Sequence, residues 1–439
     1  MSQAEYNVGG CYETGCGVER DIEKAVYWYK KSLAKGVYEA EKCLDRIDKI
    51  SKHIEFDSVL YLSENMTDSE EKSNITDEYG VKYSINGKRL LEVPKDIEHY
   101  TIKPGTLMLC SFAFNDCEKL GSIEIPYGVK IIGSGCFYGC RNLKHVKIPD
   151  SVIEISDYAF SCTGLEHIEI PDNVTIIRDK SFAFCTNLKS VIIGKGVSKF
   201  EGSALRENEN LKSIIVDKDN PYYDSREGCN AVIETSTKSL LVGCKKSIVP
   251  DTVTRINEEA FMHSNIESIT LGNDVEVIEQ RAFLGCKSLK NVRFSKALRE
   301  IGDEAFFGCE SLETLYLHDG LKKIGNEAFM CALNLKEVHL PDTVDCIKRS
   351  AFSECISLET INIPRNIKKL SHGAFFRCEA LSSVILPEGL KIIEEHAFSC
   401  CEKLTKIVVP VSVELIEDFN RETYFSRKSD MQEKSYSTA

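Results

Sequence analysis

A phenylalanine recurs every 22 or 23 residues through most of this chain of 439 residues. A small residue precedes each phenylalanine, and a cysteine usually follows it by three positions. A fixed period in this range is typical of a solenoid, whose units bury their apolar faces only against neighbouring units. The sequence therefore predicts a stack of twelve coils, marked by Phe114, Phe137, Phe160, Phe182, Leu205 (in the phenylalanine position), Phe261, Phe283, Phe306, Phe329, Phe352, Phe375 and Phe398.

Each coil carries two apolar strips before its phenylalanine. The first strip reads Leu-x-x-Val/Ile-x-Ile and is often closed by proline, as from Leu143 to Pro149. Its period-2 alternation predicts a short strand, which proline ends because proline cannot continue the hydrogen-bond ladder. The second strip reads Val/Leu-x-x-Ile, as from Val152 to Ile155. The phenylalanine turn after it is predicted to be a brief helical or 3₁₀ segment, and equivalent strands should stack ~4.8 Å apart in parallel sheets.

These recurring motifs resemble the BspA-like leucine-rich repeat family over roughly residues 81–416. The resemblance implies an α+β repeat protein with a leucine-rich-repeat solenoid and a parallel β-sheet. It also implies a binding module without catalytic residues. The family is largely associated with bacterial surface proteins and with adhesion.

The first 50 residues predict a small α/α helical repeat in front of the solenoid. Asp21 is a good N-cap, Gly36 stands where a C′ glycine belongs, and Ala40 and Cys43 lie on the inward face of a second helix. The run from Gly10 to Gly36 resembles the Sel-one-like repeat, which is related to tetratricopeptide units. The predicted organisation is a helical repeat at 1–50, an acidic linker at 51–80, the solenoid at 81–419 and a C-terminal tail at 420–439.

The period breaks once, between Leu205 and Phe261. Two β-prone runs in this segment predict a hairpin inserted at about residues 217–250. A similar pattern with an Asn-Gly turn over residues 81–93 predicts an N-terminal cap, since Asn-Gly is a strong hairpin signal. The insertion also offers two predicted partner contacts, Tyr222 and Tyr223.

Charge and hydropathy exclude some classes of partner. The net charge of −13 argues against nucleic acid, which rewards clustered Lys and Arg. No apolar run is long enough to span a bilayer, so no membrane span is predicted. The start at Met1 lacks the basic region and the hydrophobic core of a signal peptide. As written, the chain is predicted to be cytoplasmic, and a cell-surface or secreted location is predicted if it is part of a longer precursor.

The cysteines after the phenylalanines form a ladder that raises the question of disulfides or metal. They are Cys117, Cys140, Cys185, Cys286, Cys309, Cys355, Cys378 and Cys401, with Cys162 and Cys331 two positions after phenylalanine. A free cysteine behaves as a small buried apolar residue, so the ladder is interpreted as packing. His145 and His167 share a strand position in neighbouring coils and, without a third ligand, are interpreted as surface residues. The sequence thus predicts no catalytic residue, no metal site and no cofactor.

Alternation within the first strip turns one residue per coil outward. Those residues are Glu124, Lys147, Glu169, Ile192, Ile215, Thr270, Arg293, Tyr316, His339, Asn362, Ile385 and Val408. Arg293, Tyr316, His339 and Asn362 lie on consecutive coils and include Arg and Tyr, which are enriched at binding hot spots. We predict that these four residues form a binding patch, and a plain solvated sheet face is the alternative.

The predicted function is a non-catalytic protein–protein interaction scaffold that binds through the sheet face and the inserted hairpin. Its partner is a protein, with a host or surface protein or a glycan as narrower options. A secreted or cell-surface adhesin of BspA type is the first alternative, and a cysteine- and histidine-dependent metal protein or enzyme is a weaker one. The sequence contains no nucleophile elbow, phosphate loop or zinc-helix motif.

Overall fold

The structure is a computed structural model that describes residues 64–417 and the strand at 424–427. It also describes residues 6–8, 28–29, 31–33, 37, 40 and 42–43. The chain divides into two compact units, Met1–Ser63 and Glu64–Ala439. Residues 51–63 of the predicted linker, and residues 420–423 and 428–439 of the predicted tail, lie outside the described part.

The described residues of the N-terminal unit are helical apart from Val37. Tyr29, Ala40 and Cys43 are buried. The rings of Tyr6 and Tyr29 lie 5.5 Å apart between centroids, and the Tyr6 hydroxyl lies 3.5 Å from the Cys43 thiol. Ala40 and Cys43 are thus enclosed by other residues of this unit.

The second unit begins with helix α1 (Asp68–Lys72), which is followed by thirteen short strands and one 3₁₀ helix. In chain order these are β1 (Ile75–Thr76), β2 (Lys82–Tyr83), β3 (Arg89–Glu92), β4 (His99–Thr101), β5 (Met108–Leu109), β6 (Ser122–Glu124), β7 (Ile131–Ile132), β8 (Glu154–Ile155), β9 (His167–Ile170), β10 (Ile176–Ile177), β11 (Ser190–Ile193), β12 (Lys199–Phe200), the 3₁₀ helix Gly202–Leu205 and β13 (Ser213–Val216).

A second series of strands starts inside the predicted insertion. It consists of β14 (Tyr223–Asp224), the 3₁₀ helix Arg226–Gly228, β15 (Val232–Glu234), β16 (Ser239–Val242), β17 (Arg255–Ile256), β18 (Ser268–Thr270), β19 (Val277–Ile278), β20 (Asn291–Arg293), β21 (Glu300–Ile301), β22 (Thr314–Tyr316), β23 (Lys323–Ile324), β24 (Glu337–His339), β25 (Cys346–Ile347), β26 (Thr360–Asn362), β27 (Lys369–Leu370), β28 (Ser383–Ile385), β29 (Ile392–Ile393), β30 (Lys406–Val409), β31 (Leu415–Ile416) and β32 (Tyr424–Arg427).

The two strips of each coil build two separate sets of parallel ladders. First-strip strands pair with first-strip strands of the next coil, as in the order β22-β24-β26-β28. Second-strip strands do the same, as in β17-β19-β21-β23-β25. Paired residues such as Tyr316 and His339 are one repeat apart in sequence. Residues that occupy the same position in successive repeats are therefore paired in the sheets.

One predicted strand does not form. The segment from Leu143 to Pro149 has no assigned strand, although it carries the first-strip pattern. Leu143 and Ile148 are buried as the pattern requires. The Glu166 amide donates to the Lys144 carbonyl at 3.1 Å, but a full ladder to β6 and β9 is missing. Apolar burial thus fixes the path of this coil without completing its hydrogen bonds.

The turn around each phenylalanine is not helical, contrary to the sequence prediction. In all eleven phenylalanine coils the residues two before and two after the phenylalanine have positive φ, as at Glu304 (56°) and Gly308 (68°) around Phe306. A left-handed residue interrupts a right-handed helix. The Phe306 amide instead donates to the Ala328 carbonyl of the next coil at 2.7 Å. Only the coil of Leu205 has the predicted 3₁₀ segment at this position, among the described residues.

The phenylalanines form the predicted internal column. Neighbouring rings are stacked with centroids 4.8 to 5.6 Å apart, from Phe114 to Phe182 and again from Phe261 to Phe398. This spacing follows from the parallel strands, which stack at ~4.8 Å. The column is split into two hydrophobic cores, one on each side of the insertion.

The insertion is a three-stranded antiparallel meander that separates these two cores. Strand β14 pairs with β15, β15 with β16, and β16 then pairs in parallel with β17. Val232 and Leu241 pack into the first core, whereas Ile233 and Leu240 pack into the second. Successive side chains of a strand point to opposite faces, so the meander seals one array and starts the next. The predicted hairpin is therefore largely buried between coils.

The start of the solenoid has the same arrangement. Strands β1, β2 and β3 form an antiparallel meander, and β3 pairs in parallel with β5. A capping box between Thr67 and Glu70 caps the N-terminus of helix α1. The Glu64 carboxylate accepts hydrogen bonds from the Ser134 amide and hydroxyl and from the Ser156 hydroxyl at 2.6 to 2.8 Å. Residues 64–78, part of the predicted acidic linker, thus form ordered structure against the first coils.

Candidate functional site

The outward column of the first strips is exposed along its whole length. All twelve predicted outward residues are solvent-exposed. The residues between them, such as Leu315 and Val338, are buried at 0% and 5% exposure. The strand alternation therefore presents one side chain per coil to solvent on a fixed backbone.

The four residues of the predicted patch lie on the first-strip strands of consecutive coils, with Arg293 on β20, Tyr316 on β22, His339 on β24 and Asn362 on β26. The rings of Tyr316 and His339 are stacked, with centroids 4.5 Å apart and planes inclined by 10°. His339 Nε2 lies 2.8 Å from a Glu337 carboxylate oxygen on the same strand. Tyr316 remains 55% exposed. We call these four residues the sheet-face patch.

Neighbouring strands hold the sheet-face patch in place. The Leu317 amide donates to the His339 carbonyl at 3.2 Å, and Tyr316 is paired in register with His339. The inward-facing residues of these strands, such as Leu315 and Val338, are buried in the core. Tyr316, His339 and Asn362 therefore lie in one four-stranded sheet, and Arg293 lies on β20 at the edge of the neighbouring two-stranded sheet.

A cleft opens elsewhere on the same face, beside the coil whose strand does not form. Its volume is about 360 Å³. It is lined by Ile123, Glu124, Ile125, Tyr127, Lys147, Pro149 and Asp150. Glu124 and Lys147 belong to the predicted outward column, and Lys147 lies in the segment that forms no strand.

The cysteine ladder lies inside the stack. The Cys286 thiol donates to the Phe261 carbonyl at 3.0 Å and the Cys309 thiol to the Phe283 carbonyl at 3.3 Å. The same contact recurs in most coils, and Asn208 replaces cysteine in the coil of Leu205, where its amide donates to the Phe182 carbonyl at 2.9 Å. The described cysteines are free thiols. Seven of the described ladder thiols therefore fill a small space and donate to a buried phenylalanine carbonyl, whereas Cys162 and Cys331 are half-buried and make no such contact.

The electrostatics of the ladder fit this packing role. Burial raises the pKa of Cys185 to about 11 and that of Cys286 to about 12. The thiolate is the nucleophile and the metal ligand, and it is not populated at neutral pH when the pKa is this high. Cys185 and Cys286 are thus suited to packing.

Comparison with protein families identifies the repeat. The BspA type leucine rich repeat region matches six copies over residues 108–226, 242–332 and 322–429, which cover more than half of the chain. The chain belongs to the BspA-type leucine-rich repeat family. Residues 2–37 match the Sel1 repeat, as the N-terminal motif predicts. Leucine-rich repeat proteins are typically non-catalytic scaffolds that bind proteins, and neither matching family is an enzyme family.

Solved structures of similar proteins show the same fold. A leucine-rich repeat protein from Bacteroides ovatus is 25% identical, with a TM-score of 0.58, over 81% of this chain and 90% of its own. One from Eubacterium ventriosum is 23% identical, with a TM-score of 0.57, over 77% and 90%. The pneumococcal vaccine antigen PcpA is 18% identical, with a TM-score of 0.50, over 79% and 98%. A search of curated proteins gives no match.

The two tyrosines of the insertion have different environments in this BspA-type repeat protein. Tyr222 is 51% exposed and remains a candidate contact. Tyr223 is 6% exposed, and its hydroxyl accepts a hydrogen bond from the Phe200 amide at 3.1 Å. Burial also raises the pKa of Tyr223. Contrary to the sequence prediction, Tyr223 is a buried packing residue and is no longer a candidate partner contact.

The remaining predictions concern histidines and the membrane. His167 Nδ1 lies 2.7 Å from the Ser190 hydroxyl, which occupies the equivalent position of the next coil. Among the described residues, no histidine, cysteine or carboxylate joins His145 and His167 to form a three-ligand cluster. In the part of the BspA-type chain that the structure describes, no helix has the length and apolar character needed to cross a bilayer.

Proposed function

We propose that this protein is a non-catalytic scaffold that binds a protein partner through the sheet-face patch of Arg293, Tyr316, His339 and Asn362. The observation that carries the proposal is the exposed Tyr316–His339 stack between an arginine and an asparagine on consecutive coils. Tyrosine and arginine are enriched among residues that dominate binding energy. A leucine-rich repeat solenoid gives them a rigid extended surface.

Preorganisation favours this surface over a flexible loop. Association loses about 0.5–1.5 kcal/mol for each side chain that becomes immobilised. Tyr316 and His339 already hold one another in a stack with nearly parallel planes. Their backbones are paired within β22 and β24. Less side-chain entropy therefore remains to be lost when a partner covers them.

The chemistry of the patch suggests its counterpart. Arg293 suits a carboxylate, because its guanidinium can form two parallel hydrogen bonds to one acidic group. The exposed ring of Tyr316 suits an apolar or aromatic side chain, and Asn362 both donates and accepts hydrogen bonds. We expect a partner surface with an acidic group next to an apolar anchor.

The experiment compares matched double variants of the full chain as baits in extracts of the source organism. Arg293→Glu with Tyr316→Ala reverses the charge and removes the ring of the patch. Lys147→Glu with Tyr127→Ala makes the same kinds of change in the cleft, where Tyr127 is 79% exposed. A protein retained by the wild type and by the cleft variant but lost from the patch variant supports the proposal. Equal retention by all three baits contradicts it.

A cell-surface adhesin is the second candidate function. Membership of the BspA-type family favours it, because proteins of this family are commonly surface proteins that mediate interactions. Protease treatment of intact cells distinguishes the two locations. Loss of the chain from intact cells, with a cytosolic marker preserved, supports surface display. Full protection until the cells are lysed contradicts it.

A further inference from the structure

Two imidazoles and one carboxylate from neighbouring coils come together beside the second-strip sheet. His372 lies two residues after β27, and Glu395 and His396 lie just after β29. One ligand atom from each of these three residues lies within 4.8 Å of the other two. The rings of His372 and His396 are 5.4 Å apart and nearly perpendicular. No short sequence motif signals this group, because its members are one coil apart.

The backbone fixes the two coils that carry these side chains. The Gly373 amide donates to the Glu395 carbonyl at 3.1 Å, and the His372 amide donates to the Glu394 carboxylate at 2.9 Å. The cluster therefore does not depend on a flexible loop. The side chains of Glu395 and His396 are 58% and 49% exposed, so they can rotate while their backbones stay in place.

The hydrogen bonds around the imidazoles suit coordination. His396 Nδ1 lies 3.2 Å from the Ser399 hydroxyl, and Nε2 of the same ring lies 3.3 Å from the Glu395 carboxylate. A metal-binding histidine commonly uses one nitrogen for the metal while the other is held by a hydrogen bond. His372 Nδ1 is buried without a hydrogen-bond partner in the described part of the chain. A buried unpaired nitrogen needs an explanation, and an ion bound at Nδ1 itself would supply one.

The donor set indicates the class of metal. Calcium and magnesium prefer oxygen ligands, whereas imidazole suits zinc and other late transition metals. Two histidines and one glutamate are a known ligand set for Zn²⁺, with water in the fourth position. Ligand atoms at ~2.1 Å from zinc lie roughly 3.4 Å apart in a tetrahedron. The exposed Glu395 and His396 side chains must therefore close by at most about 1.5 Å.

We propose that His372, Glu395 and His396 form a zinc site that joins the eleventh and twelfth coils of the solenoid. The site crosses the boundary between the coils of Phe375 and Phe398. Terminal units of a solenoid have fewer stabilising neighbours and open most easily. An ion that binds only the folded arrangement stabilises it in proportion to the logarithm of its concentration. The bound ion thus links two coils near the end of the array and stabilises their stacking. The site is independent of the sheet-face patch.

The test is isothermal titration of ZnCl₂ into the metal-stripped full chain under reducing conditions. We expect one zinc per chain for the wild type and binding at least about 100-fold weaker for His372→Ala with His396→Ala. His145→Ala with His167→Ala is the matched control, since it also removes two histidines one coil apart, and it should bind like the wild type. CaCl₂ at the same concentrations should give no binding.

Two further measurements keep the test decisive if the double alanine variant folds poorly. Glu395→Gln changes an exposed side chain and should still weaken zinc binding by more than about 10-fold, with an unchanged circular dichroism spectrum. Hydrogen exchange should show zinc-dependent protection in residues 369–401 and not in the first core. The proposal is overturned if the wild type binds no stoichiometric zinc, or if the His372→Ala/His396→Ala variant binds it as tightly as the wild type.

Discussion

Removing one ring from the middle of the phenylalanine column is a strong test of how the solenoid is stabilised. Phe329 is fully buried. Its ring lies 5.2 Å from those of Phe306 and Phe352, inclined by only 4° and 8°. Phe329→Ala leaves a cavity in the second core and removes both stacked contacts at once.

The expected loss follows from these contacts. Truncating a buried phenylalanine to alanine costs about 3–5 kcal/mol. Each aromatic pair contributes about 0.5–1.5 kcal/mol beyond its buried area, so we place Phe329→Ala in the upper half of that range. Leucine occupies the equivalent position at Leu205 with 4% exposure. Phe329→Leu should therefore cost only about 1–2 kcal/mol.

Urea unfolding gives the free-energy change, and hydrogen exchange by mass spectrometry shows which coils open. Because coils interact with their nearest neighbours, protection should fall in the coils on either side of Phe329 and be retained in the first core. Phe184→Ala is the control, because Phe184 is 43% exposed, and it should change stability by less than about 0.5 kcal/mol. A loss below about 1 kcal/mol for Phe329→Ala, or equal losses for the two variants, would refute the reasoning.

Three other perturbations test separate parts of the structure. Gly302→Ala places a methyl group 2.6 Å from the Gln280 nitrogen and should cost about 1–3 kcal/mol in urea unfolding, whereas Gly202→Ala, with 3.7 Å to its nearest neighbour, should be close to neutral. Glu64→Ala leaves the Ser134 amide without its acceptor and should cost about 1–3 kcal/mol, with lost exchange protection at the first coils; unchanged protection would contradict this role. The hydrogen bond that His263 Nδ1 donates to the Glu207 carboxylate, at 2.6 Å, raises the pKa of His263. The stability gained from this pair is therefore fully present below the unfolded pKa of about 6.5 and is lost as pH rises through the higher folded pKa. His263→Gln should destabilise the chain more at pH 6 than at pH 9. Equal destabilisation at the two pH values would contradict the ion pair.

The sequence predicted the features that depend on periodicity. The phenylalanine period set the coil boundaries, and alternation within each first strip predicted which side chains, including Tyr316 and His339, face solvent. These predictions succeed because every coil repeats one environment. A residue type that recurs at one position reports the burial of that position directly.

Features that depend on contacts between coils were not predictable in the same way. The left-handed residues two positions from each phenylalanine include Glu, Arg and Lys, which carry no turn signal of their own. Strand β15 packs into both cores, and that requires knowing that an array stands on each side of it. Tyr223 is buried for the same reason, although its neighbour Tyr222 is exposed. The His372, Glu395 and His396 cluster likewise appears only when two coils are stacked in register.

Site-specific photo-crosslinking tests the proposed binding surface most directly. A photoreactive phenylalanine analogue replaces Tyr316 in one variant and Tyr127 in another, and both side chains are exposed. After irradiation in cells of the source organism, crosslinked proteins are identified by mass spectrometry. The account predicts a discrete partner crosslinked at Tyr316, absent at Tyr127 and lost when Arg293→Glu is added. The same crosslinked proteins at both positions, or a Tyr316 crosslink unaffected by Arg293→Glu, would contradict the assignment of the sheet-face patch as the binding site.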